Sequence, residues 1–389
     1  MRNFIYNIPT EVHFGKGSID FLPEAVKKYG TRALLVYGGG SVKRSGLYDK
    51  IVSLLKDAGI MFEELPGVAP NPRMSTVRKG VAVCREKAVD VVIGLGGGSS
   101  MDCAKAVSAG TKYDGDPWDL CLDRTRIHDA LPVIAVPTMA ATGSEMDPFG
   151  VITNEDTLDK KGLGSPLLIP KAAFCDPTYT FSVPAFQTAS GTADIVSHVL
   201  ETYFRDPDGA FMAARSAEAV LKTCFHYGPI AVKEPDNYDA RANLMWCSEW
   251  AINGFLKCGL DGAWVVHPIE HQLSAYYDIP HGAGLAVLTP HWFRRILKDE
   301  RSHPIFRTYA VGAWDLSPDT DDITLAGQAI AKTVEFFTAL GLPSTLRELG
   351  ITEKDRFGEI VDKAVRDGAG NTYFPLSADD IKEILEAAF

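Results

Sequence analysis

The chain lacks the sequence features of secreted, membrane-spanning and nucleic-acid-binding proteins. It has seven cysteines, an odd number, and none of them form a C-x-x-C pair. We therefore expect free thiols in a reducing cytoplasm and no disulfide framework. No run of about eighteen apolar residues is present, so no transmembrane helix is expected. Residues 1–17 lack the apolar core of a signal peptide. A formal net charge of −11 disfavours binding to nucleic acid or to an anionic membrane.

What the chain does have is the size and composition of a two-domain globular enzyme. Its 389 residues exceed one ordinary hydrophobic core, which predicts two domains. Hydrophobic residues make up 46% and charged residues 23% of the chain, and both values are typical of a soluble enzyme. Near residue 180 the strand-like segments nearly vanish and long helical patterns begin, so we predict one domain over 1–181 and a second over 182–389.

The first domain is predicted to be a doubly wound, mostly parallel α/β sheet, and the second to be all helical. Short runs rich in β-branched residues alternate with helical periodicity in the first half, which is typical of a parallel sheet covered by helices. The predicted strands are 32–40, 61–65, 89–95, 131–138 and 171–177, and the predicted helices between them are 47–60 and 70–89. The helices predicted in the second half include 190–204, 209–232, 238–259, 323–341 and 377–389.

A glycine-rich turn follows the predicted strand 89–95 and precedes a predicted helix. Glycines 96–98 would let the backbone approach a phosphate closely, and the helix N-terminus would supply free N–H groups and a positive dipole end. The spacing differs from G-x-G-x-x-G, and a tightly packed βα turn without a ligand is the alternative. Residues 38–40 and 137–145 also follow strands. We therefore expect all three segments at the carboxyl edge of the sheet, where such folds bind ligands.

Four side chains have the spacing of a metal site. Asp194 and His198 are four residues apart in the predicted helix 190–204, so they share one helix face. His267 and His281 lie in a second histidine-rich segment, 264–284. A carboxylate with imidazoles suits iron or zinc better than calcium or magnesium. An isolated D-x-x-x-H pair is also typical of a helix-surface contact, but the two further histidines favour a metal.

Together these motifs resemble those of the iron-containing (group III) alcohol dehydrogenases, specifically the branch of NADPH-dependent aldehyde reductases and butanol dehydrogenases. The resemblance extends over nearly the whole chain and is carried by FGKGSI (14–19), YGGGSVKRSG (37–46), GLGGGSSMDCAK (94–105), PTMAATGSE (137–145), DIVSH (194–198) and HPIEHQLSAYYDIPHGAG (267–284). It implies the dehydroquinate synthase-like fold of that family, with a dinucleotide-binding α/β domain and an all-α domain. It also implies hydride transfer between NADP(H) and a short- to medium-chain aldehyde or primary alcohol such as butanal or butanol.

The resemblance assigns residues to the metal and to the chemistry. The implied ligands of the ion, iron(II) or alternatively zinc, are Asp194, His198, His267 and His281. His271 matches a histidine near the nicotinamide, and we expect it to have a catalytic or positioning role; a packed polar residue is the alternative reading. The resemblance further implies a homodimer in which residues 4–9 pair as strands across a two-fold axis, although this segment could also lie on its own domain.

The resemblance also implies a set of cofactor residues. Those expected at the pyrophosphate are Gly97, Gly98 and Ser99, with Asp102 orienting the turn. Those expected around the nicotinamide half are Thr138, Thr142, Ser144 and Lys160, and Asn71 is expected at the adenosine half. The residues that bear on cofactor choice are Gly38, Gly39, Gly40 and Ser41. An aspartate there would bind the ribose 2′-hydroxyl of NAD, whereas glycine N–H groups, a hydroxyl and a nearby cation would accept a 2′-phosphate, so NADP(H) is favoured.

Three alternative functions remain open at this point. Glycerol dehydrogenase or dehydroquinate synthase would share the fold but bind zinc with fewer histidines, and His281 favours the alcohol dehydrogenase branch. A metal-dependent hydrolase of a phosphorylated substrate would need a general base, for which Glu201 and Glu270 are the nearby candidates. A non-catalytic nucleotide-binding module would leave the four candidate ligands unexplained.

Overall fold

The computed structural model describes residues 1–206 and 209–389, which form two compact units. The α/β unit comprises residues 7–183 and 235–249, and the helical unit comprises residues 1–6, 184–234 and 250–389. Residues 1–6 therefore belong with the second half of the chain, and residues 235–249 belong with the first half. The single domain boundary between residues 181 and 182 stays a prediction.

The core of the α/β unit is a six-stranded, all-parallel sheet. Its strands are β1 (Glu11–Phe14), β2 (Arg32–Tyr37), β3 (Met61–Leu65), β4 (Val91–Gly96), β5 (Val133–Pro137) and β8 (Ala172–Cys175). The numbers β6 and β7 belong to a separate hairpin that lies between β5 and β8 in the chain. They lie in the order β1-β8-β5-β4-β2-β3. β4 and β5 are buried at every residue, because helices cover both faces of the sheet and each face needs apolar side chains.

Helices on the two faces of the sheet bury separate apolar stripes. Those of this unit are α1 (Leu22–Lys27), α2 (Ser41–Arg44), α3 (Leu47–Asp57), α4 (Met74–Glu86), α5 (Gly98–Thr111), α6 (Asp119–Leu122) and the part of α9 (Tyr238–Ile252) up to residue 249. Ile51 and Leu55, one turn apart in α3, pack into one core with Leu35. Val77 and Val81 of α4 pack into another core. Helical spacing of apolar residues thus decides which face each helix covers.

An antiparallel hairpin accompanies the sheet and was not predicted. It consists of β6 (Phe149–Asn154) and β7 (Asp159–Gly164). The β7 sequence DKKGLG has little β propensity, so its strand conformation depends on tertiary contacts. Thr153 N–H donates to the Pro72 carbonyl at 2.8 Å, which holds the hairpin against the main body of the unit. The short edge strand β1 was also not predicted and exists through its pairing with β8.

The order of the strands creates a topological switch point between β2 and β4. From β2 the chain moves outward to β3, and it then returns to the other side of β2 to form β4. The carboxyl ends of these strands are level, since Tyr37 pairs with Leu95 and Gly96 pairs with Pro137. The loops after β2, β4 and β5 therefore meet at one edge, where doubly wound sheets bind their ligands.

The helical unit is organised around a buried central helix, α7. Its helices are α7 (Ala185–Tyr203), α8 (Phe211–Lys233), the last residues of α9, α10 (Val266–Tyr277), α11 (His281–Ile296), α12 (His303–Trp314), α13 (Asp322–Ala339), α14 (Phe357–Arg366) and α15 (Ala378–Ala388). α7 and α11 approach closely at Gly282, where a Cβ atom would lie 1.9 Å from the Ser190 carbonyl oxygen. The expected combination of a parallel α/β sheet with an all-helical second part is confirmed. No helix in the described ranges is long and apolar enough to cross a membrane.

Candidate metal centre and nucleotide-binding edge

Three helices of the helical unit bring the four candidate metal ligands together. Asp194 and His198 project from one face of α7, and His198 Nε2 lies 3.4 Å from Asp194 Oδ1. His267 lies in the first turn of α10, with its Nε2 3.7 Å from the same oxygen. His281 begins α11, with its Nε2 at 3.6 Å. The Nε2 atoms of three imidazoles thus surround one carboxylate oxygen.

The geometry of this cluster fits a divalent transition metal. Ligand atoms about 2.1 Å from an ion in a tetrahedron are about 3.4 Å from one another, which is close to the distances of 3.4, 3.7 and 3.6 Å from Asp194 Oδ1 to the three Nε2 atoms. Asp194 Oδ1 and His267 Nε2 are buried and have no hydrogen-bond partner within the described chain. Buried polar atoms normally have partners, so both of these atoms are available as ligands of an ion. Donor atoms of Asp194, His267 and His281 lie within 4.8 Å of one another, and His198 adds a nitrogen beside Asp194.

Two buried glutamates orient the imidazoles. The Nδ1 atom of His267 is hydrogen bonded to Glu201, whose carboxylate also accepts from the His267 N–H at 2.9 Å. The Nδ1 atom of His281 is hydrogen bonded to Glu270. When Nδ1 donates its proton to a carboxylate, the Nε2 lone pair faces the candidate ion. Both glutamates are thus engaged as positioning groups, and this disfavours the hydrolase alternative in which either would be a free general base.

The positioning role of these glutamates was not predicted from the sequence, which offered them only as candidate general bases. Glu201 follows His198 by three residues, and Glu270 follows His267 by three. That spacing places each pair on one helix face. It could have suggested carboxylates beside a histidine cluster, although the histidine that each one contacts depends on the packing of the helices.

The electrostatics of the cluster favour the metal-binding protonation states of Asp194 and His198, whereas His267 is held protonated until an ion binds. Burial alone would raise the pKa of Asp194, but the imidazoles of His198, His281 and His267 hold it well below its usual range. Burial lowers the pKa of His198 to about 4, against the attraction of Asp194. Burial would also lower the pKa of His267, yet Glu201 and Asp194 raise it to about 9. An ion that binds Nε2 of His267 would displace the proton on that nitrogen, while Nδ1 would keep its proton beside Glu201.

His271, the expected catalytic or positioning residue, lies next to the ligand histidines. It is half-buried in α10, and its ring centroid is 5.4 Å from that of His281 and 6.0 Å from that of His267. Trp264 stacks on the ring of His198 at 5.3 Å and closes another side of the cluster. The arrangement combines a candidate Lewis-acid site with a further imidazole beside it.

The turn between β4 and α5 gives its glycines different roles. Gly96 has a φ of 141°, which favours glycine. A Cβ atom on Gly98 would lie 2.4 Å from Thr142 Oγ1, so Gly98 allows close packing against the loop after β5. A Cβ atom on Gly97 would meet only Met139, at 3.9 Å, so the backbone there is open. No side chain of the described chain caps the N-terminus of α5, where Ser99 lies in the first turn. This end of the helix can therefore receive an anion.

Asp102 connects α5 to the neighbouring loop and to the hairpin. It accepts a hydrogen bond from Ser144 Oγ at 2.7 Å and another from Val151 N–H at 2.9 Å. Burial raises the pKa of Asp102 to about 6, although Lys105 and these hydrogen bonds oppose the rise. Ser144 is itself buried, so its hydroxyl orients Asp102.

The loop after β5 is also held by the backbone. Thr138 N–H donates to the Gly96 carbonyl at 2.8 Å, and Ser144 N–H donates to Thr142 Oγ1 at 3.2 Å. Thr138 and Thr142 are half-buried and lie at the carboxyl ends of β4 and β5. These contacts bring the sequence-predicted loop residues together at the sheet edge.

The glycines after β2 lie beside charges of both signs. Gly39 is exposed, Gly40 has a φ of 107°, and Ser41 begins α2. The ammonium group of Lys43 lies 3.8 Å from the Glu64 carboxylate and over the ring of Tyr48. Of the two cations expected to favour a 2′-phosphate, Lys43 and Arg44, Lys43 is therefore partly neutralised by Glu64.

Asn71 and Lys160 lie together. Lys160 Nζ donates to Asn71 Oδ1 at 2.8 Å, and both side chains are buried. From the sequence, Lys160 was expected at the nicotinamide half of the cofactor and Asn71 at the adenosine half. This contact joins the two side chains at one place, and their roles at the cofactor stay predictions.

These features define a class of protein: a doubly wound nucleotide-binding fold with a carboxylate–imidazole metal centre in a separate helical unit. Residues 9–177 match the family of iron-containing alcohol dehydrogenases, and residues 188–389 match the C-terminal part of the Fe-containing alcohol dehydrogenase family. The chain belongs to the iron-containing alcohol dehydrogenase family. The family implies a nicotinamide cofactor and a divalent metal.

Individual relatives agree with this membership over the full chain. NADH-dependent butanol dehydrogenase A of Clostridium acetobutylicum is 50% identical over 100% of both chains. NADPH-dependent aldehyde reductase YqhD of Escherichia coli is 36% identical over 90% of both. The crystal structure of NADH-dependent butanol dehydrogenase A from Thermotoga maritima superposes with a TM-score of 0.94 at 37% identity, covering 100% of this chain and 99% of that one. The predicted class of enzyme, an alcohol dehydrogenase or aldehyde reductase, is confirmed.

Proposed function

We propose that this enzyme reduces short- to medium-chain aldehydes such as butanal, and oxidises the corresponding primary alcohols, with a divalent metal and preferably NADP(H). The observation that carries the metal centre is the unpartnered, buried Asp194 oxygen surrounded by three Nε2 atoms. The 50%-identical relative named as a butanol dehydrogenase supports the substrate class. When bound, the ion would polarise the carbonyl oxygen as a Lewis acid and the nicotinamide would give or accept the hydride.

In this proposal the residues of the helical unit hold the ion and manage a proton. The proposed ligands are Asp194, His198, His267 and His281. Glu201 and Glu270 keep a proton on Nδ1 of the histidine that each contacts, which leaves Nε2 free to bind. We assign His271 to proton movement because it is half-buried beside His281, and imidazole exchanges protons readily near neutral pH. We favour iron(II), in keeping with the family, and keep zinc as the alternative.

The residues of the α/β unit would hold the cofactor. We propose that the backbone at Gly97, Gly98 and Ser99 receives the pyrophosphate, since the N-terminus of α5 has no side-chain cap in the described structure. Thr138, Thr142 and Ser144 would line the nicotinamide side, with Asp102 holding their loop against α5. Asn71 and Lys160 would act as a hydrogen-bonded pair on one ribose.

The preference for NADP(H) is supported by the segment after β2. Gly38, Gly39, Gly40 and Ser41 offer N–H groups and a hydroxyl and contain no carboxylate that would repel a 2′-phosphate. The 36%-identical relative is named as NADPH-dependent. NAD(H) is the second candidate, because Glu64 lies beside Lys43 and the 50%-identical relative is named as NADH-dependent. A homodimer and a cytoplasmic location stay predictions of the same kind.

The metal centre can be tested by removing single ligands. His267→Ala and His281→Ala should each abolish butanal reduction, followed by the loss of NADPH absorbance, and should each lower the bound metal measured by elemental analysis. The fold should persist in circular dichroism, because a catalytic metal contributes less to folding than a structural one. His226→Ala changes an exposed histidine of α8 and serves as the matched control. Full activity with full metal content in either ligand variant would disprove the assignment.

A further inference from the structure

A second group of potential ligand atoms lies in the α/β unit. Glu145 lies in the turn after β5, Cys175 ends β8, and Glu249 lies in α9. One ligand atom from each residue lies within 4.8 Å of the other two. The exposed fractions of the three residues are 1%, 0% and 0%. Residues far apart in the chain thus bring two carboxyl groups and a thiol to one point in the interior.

The surrounding protein compensates the carboxyl groups in this cluster only weakly, through Lys105 acting on Glu145 and Cys175 acting on Glu249. None of the four carboxyl oxygens of Glu145 and Glu249 has a hydrogen-bond partner among the described residues. The nearby Ser248 hydroxyl donates instead to the Met245 carbonyl at 2.7 Å. Lys105, the neighbouring cation, is held by Asp147 and by the Phe149 carbonyl. Burying two unsatisfied carboxyl groups is costly, so they require protons or a cation that the side chains do not supply.

We propose that Glu145, Cys175 and Glu249 bind a second divalent transition-metal ion, distinct from the ion at the histidine cluster. One thiolate and two carboxylate oxygens form a donor set for a borderline ion such as Zn²⁺ or Fe²⁺, since thiolate is a poor ligand for Mg²⁺ and Ca²⁺. A second carboxyl oxygen or a water would complete four-coordination.

Protons are the competing occupants of the cluster. Burial, with the neighbouring Asp147, raises the pKa of Glu145 to about 7, and burial with the Glu145 charge raises that of Glu249 well above its usual range. Burial likewise raises the pKa of the Cys175 thiol. No hydrogen bond joins the two carboxyl groups within the described chain. Uptake of an ion would release the thiol proton and the carboxyl protons to solvent.

The proposed ion would have a structural role. It would join the end of β8, the turn after β5 and α9, whose residues up to 249 belong to the α/β unit although they follow α8 in the chain. Met245 of α9 and Cys175 already share a small apolar core with Ala173. Metal coordination at the edge of this core would stabilise the attachment of α9 to the sheet.

Cobalt titration of the whole, metal-stripped and reduced enzyme tests the proposal. A thiolate bound to Co²⁺ produces an intense near-ultraviolet charge-transfer band, and the candidate histidine centre has no thiolate among its ligands. We expect the wild-type chain to bind a second Co²⁺ ion with this band. The band should persist in His267→Ala, which distinguishes this site from the proposed catalytic centre.

Substitutions locate the thiolate. Cys175→Ser should lose the band and one bound ion, whereas Cys103→Ser, which changes another fully buried thiol of the same unit, should keep both. Glu249→Gln should weaken the band. The proposal is overturned if the wild-type enzyme binds a single Co²⁺ per chain without a thiolate band, a result that does not depend on any variant folding. A band that persists in Cys175→Ser overturns it equally.

Discussion

At the scale of single residues, the buried carboxyl groups of this chain differ in the partners that the fold gives them. Asp194 is stabilised by imidazoles, and Glu201 by imidazole and backbone N–H groups. Asp102 has two hydrogen bonds and the neighbouring Lys105, yet its burial is the stronger effect. Each carboxyl group therefore titrates according to the partners its fold provides.

The raised pKa of Asp102 predicts a specific pH dependence of stability. An aspartate in an unfolded chain has a pKa of 3.8, whereas that of Asp102 in the folded protein is about 6, so the folded state binds the proton more tightly. The resulting stabilisation is complete below the unfolded pKa and is lost as the pH rises through about 6. Relative to Asp102→Asn, the wild-type free energy of unfolding should fall by about 2 kcal/mol between about pH 4.5 and about pH 7.5, measured by urea denaturation.

A second aspartate provides a control with the opposite sign. Burial would raise the pKa of Asp116, but Arg78 and the Trp118 N–H lower it. The stability that Asp116 contributes to the fold is present above the unfolded pKa of this group and is lost as the pH falls. The wild-type advantage over Asp116→Asn should therefore grow with pH. A difference between wild type and Asp102→Asn that stays constant over the same range would contradict the assigned environment of Asp102.

At the scale of elements, the turn from β2 into α2 is the proposed determinant of cofactor choice. We expect the enzyme to prefer NADPH over NADH by at least about tenfold in kcat/KM, a difference of about 1.4 kcal/mol. Gly39→Asp should erase or reverse this preference, because its carboxylate would repel a 2′-phosphate and accept a hydrogen bond from a ribose hydroxyl.

Gly39 is the suitable position in this turn for that test. An added Cβ atom there would meet no atom of the described chain within 4 Å, whereas Gly40 has a φ of 107° and any side chain on it would be strained. Gly39→Asn adds nearly the same volume without charge and is the matched control; it should keep most of the NADPH preference. Equal use of both cofactors by the wild-type enzyme would refute the proposal and favour the NAD(H) alternative.

At the scale of the whole molecule, the N-terminal segment is the proposed dimer contact. Arg2 N–H donates to the Gly259 carbonyl at 3.0 Å, and the ring of Tyr6 packs on Phe255, so residues 1–6 lie on the helical unit. Residues 4–9 form no strand within the described chain. Ile5 is nevertheless 98% exposed and Phe4 48% exposed, which leaves an extended apolar segment available to a second copy.

Light scattering should give about twice the 42.3 kDa mass of the chain. Deleting residues 1–9 should weaken the dimer, and Ile5→Asp should weaken it by at least about tenfold, because each subunit would lose the burial of one apolar side chain. Ile323→Asp changes an isoleucine that is 53% exposed on α13 and should have no effect. A wild-type monomer at micromolar concentration would end this proposal.

The sequence by itself determined the family, the parallel sheet, the helical second part and the candidate metal quartet. Each of these has a local signal. Periodicity distinguishes the buried strands from the amphipathic helices, and the four-residue spacing of Asp194 and His198 is a property of one helix. The motifs around His267 and His281 then identified the family without any knowledge of how the helices pack.

Only the tertiary structure decided which groups meet. It paired Glu201 and Glu270 with particular histidines, joined Asn71 to Lys160, and formed the β6–β7 hairpin against the segment before α4. It also brought Glu145, Cys175 and Glu249 to one point. The physical reason is that these contacts join residues from different elements, and the energy of a buried polar group depends on which partners the completed packing leaves within its reach.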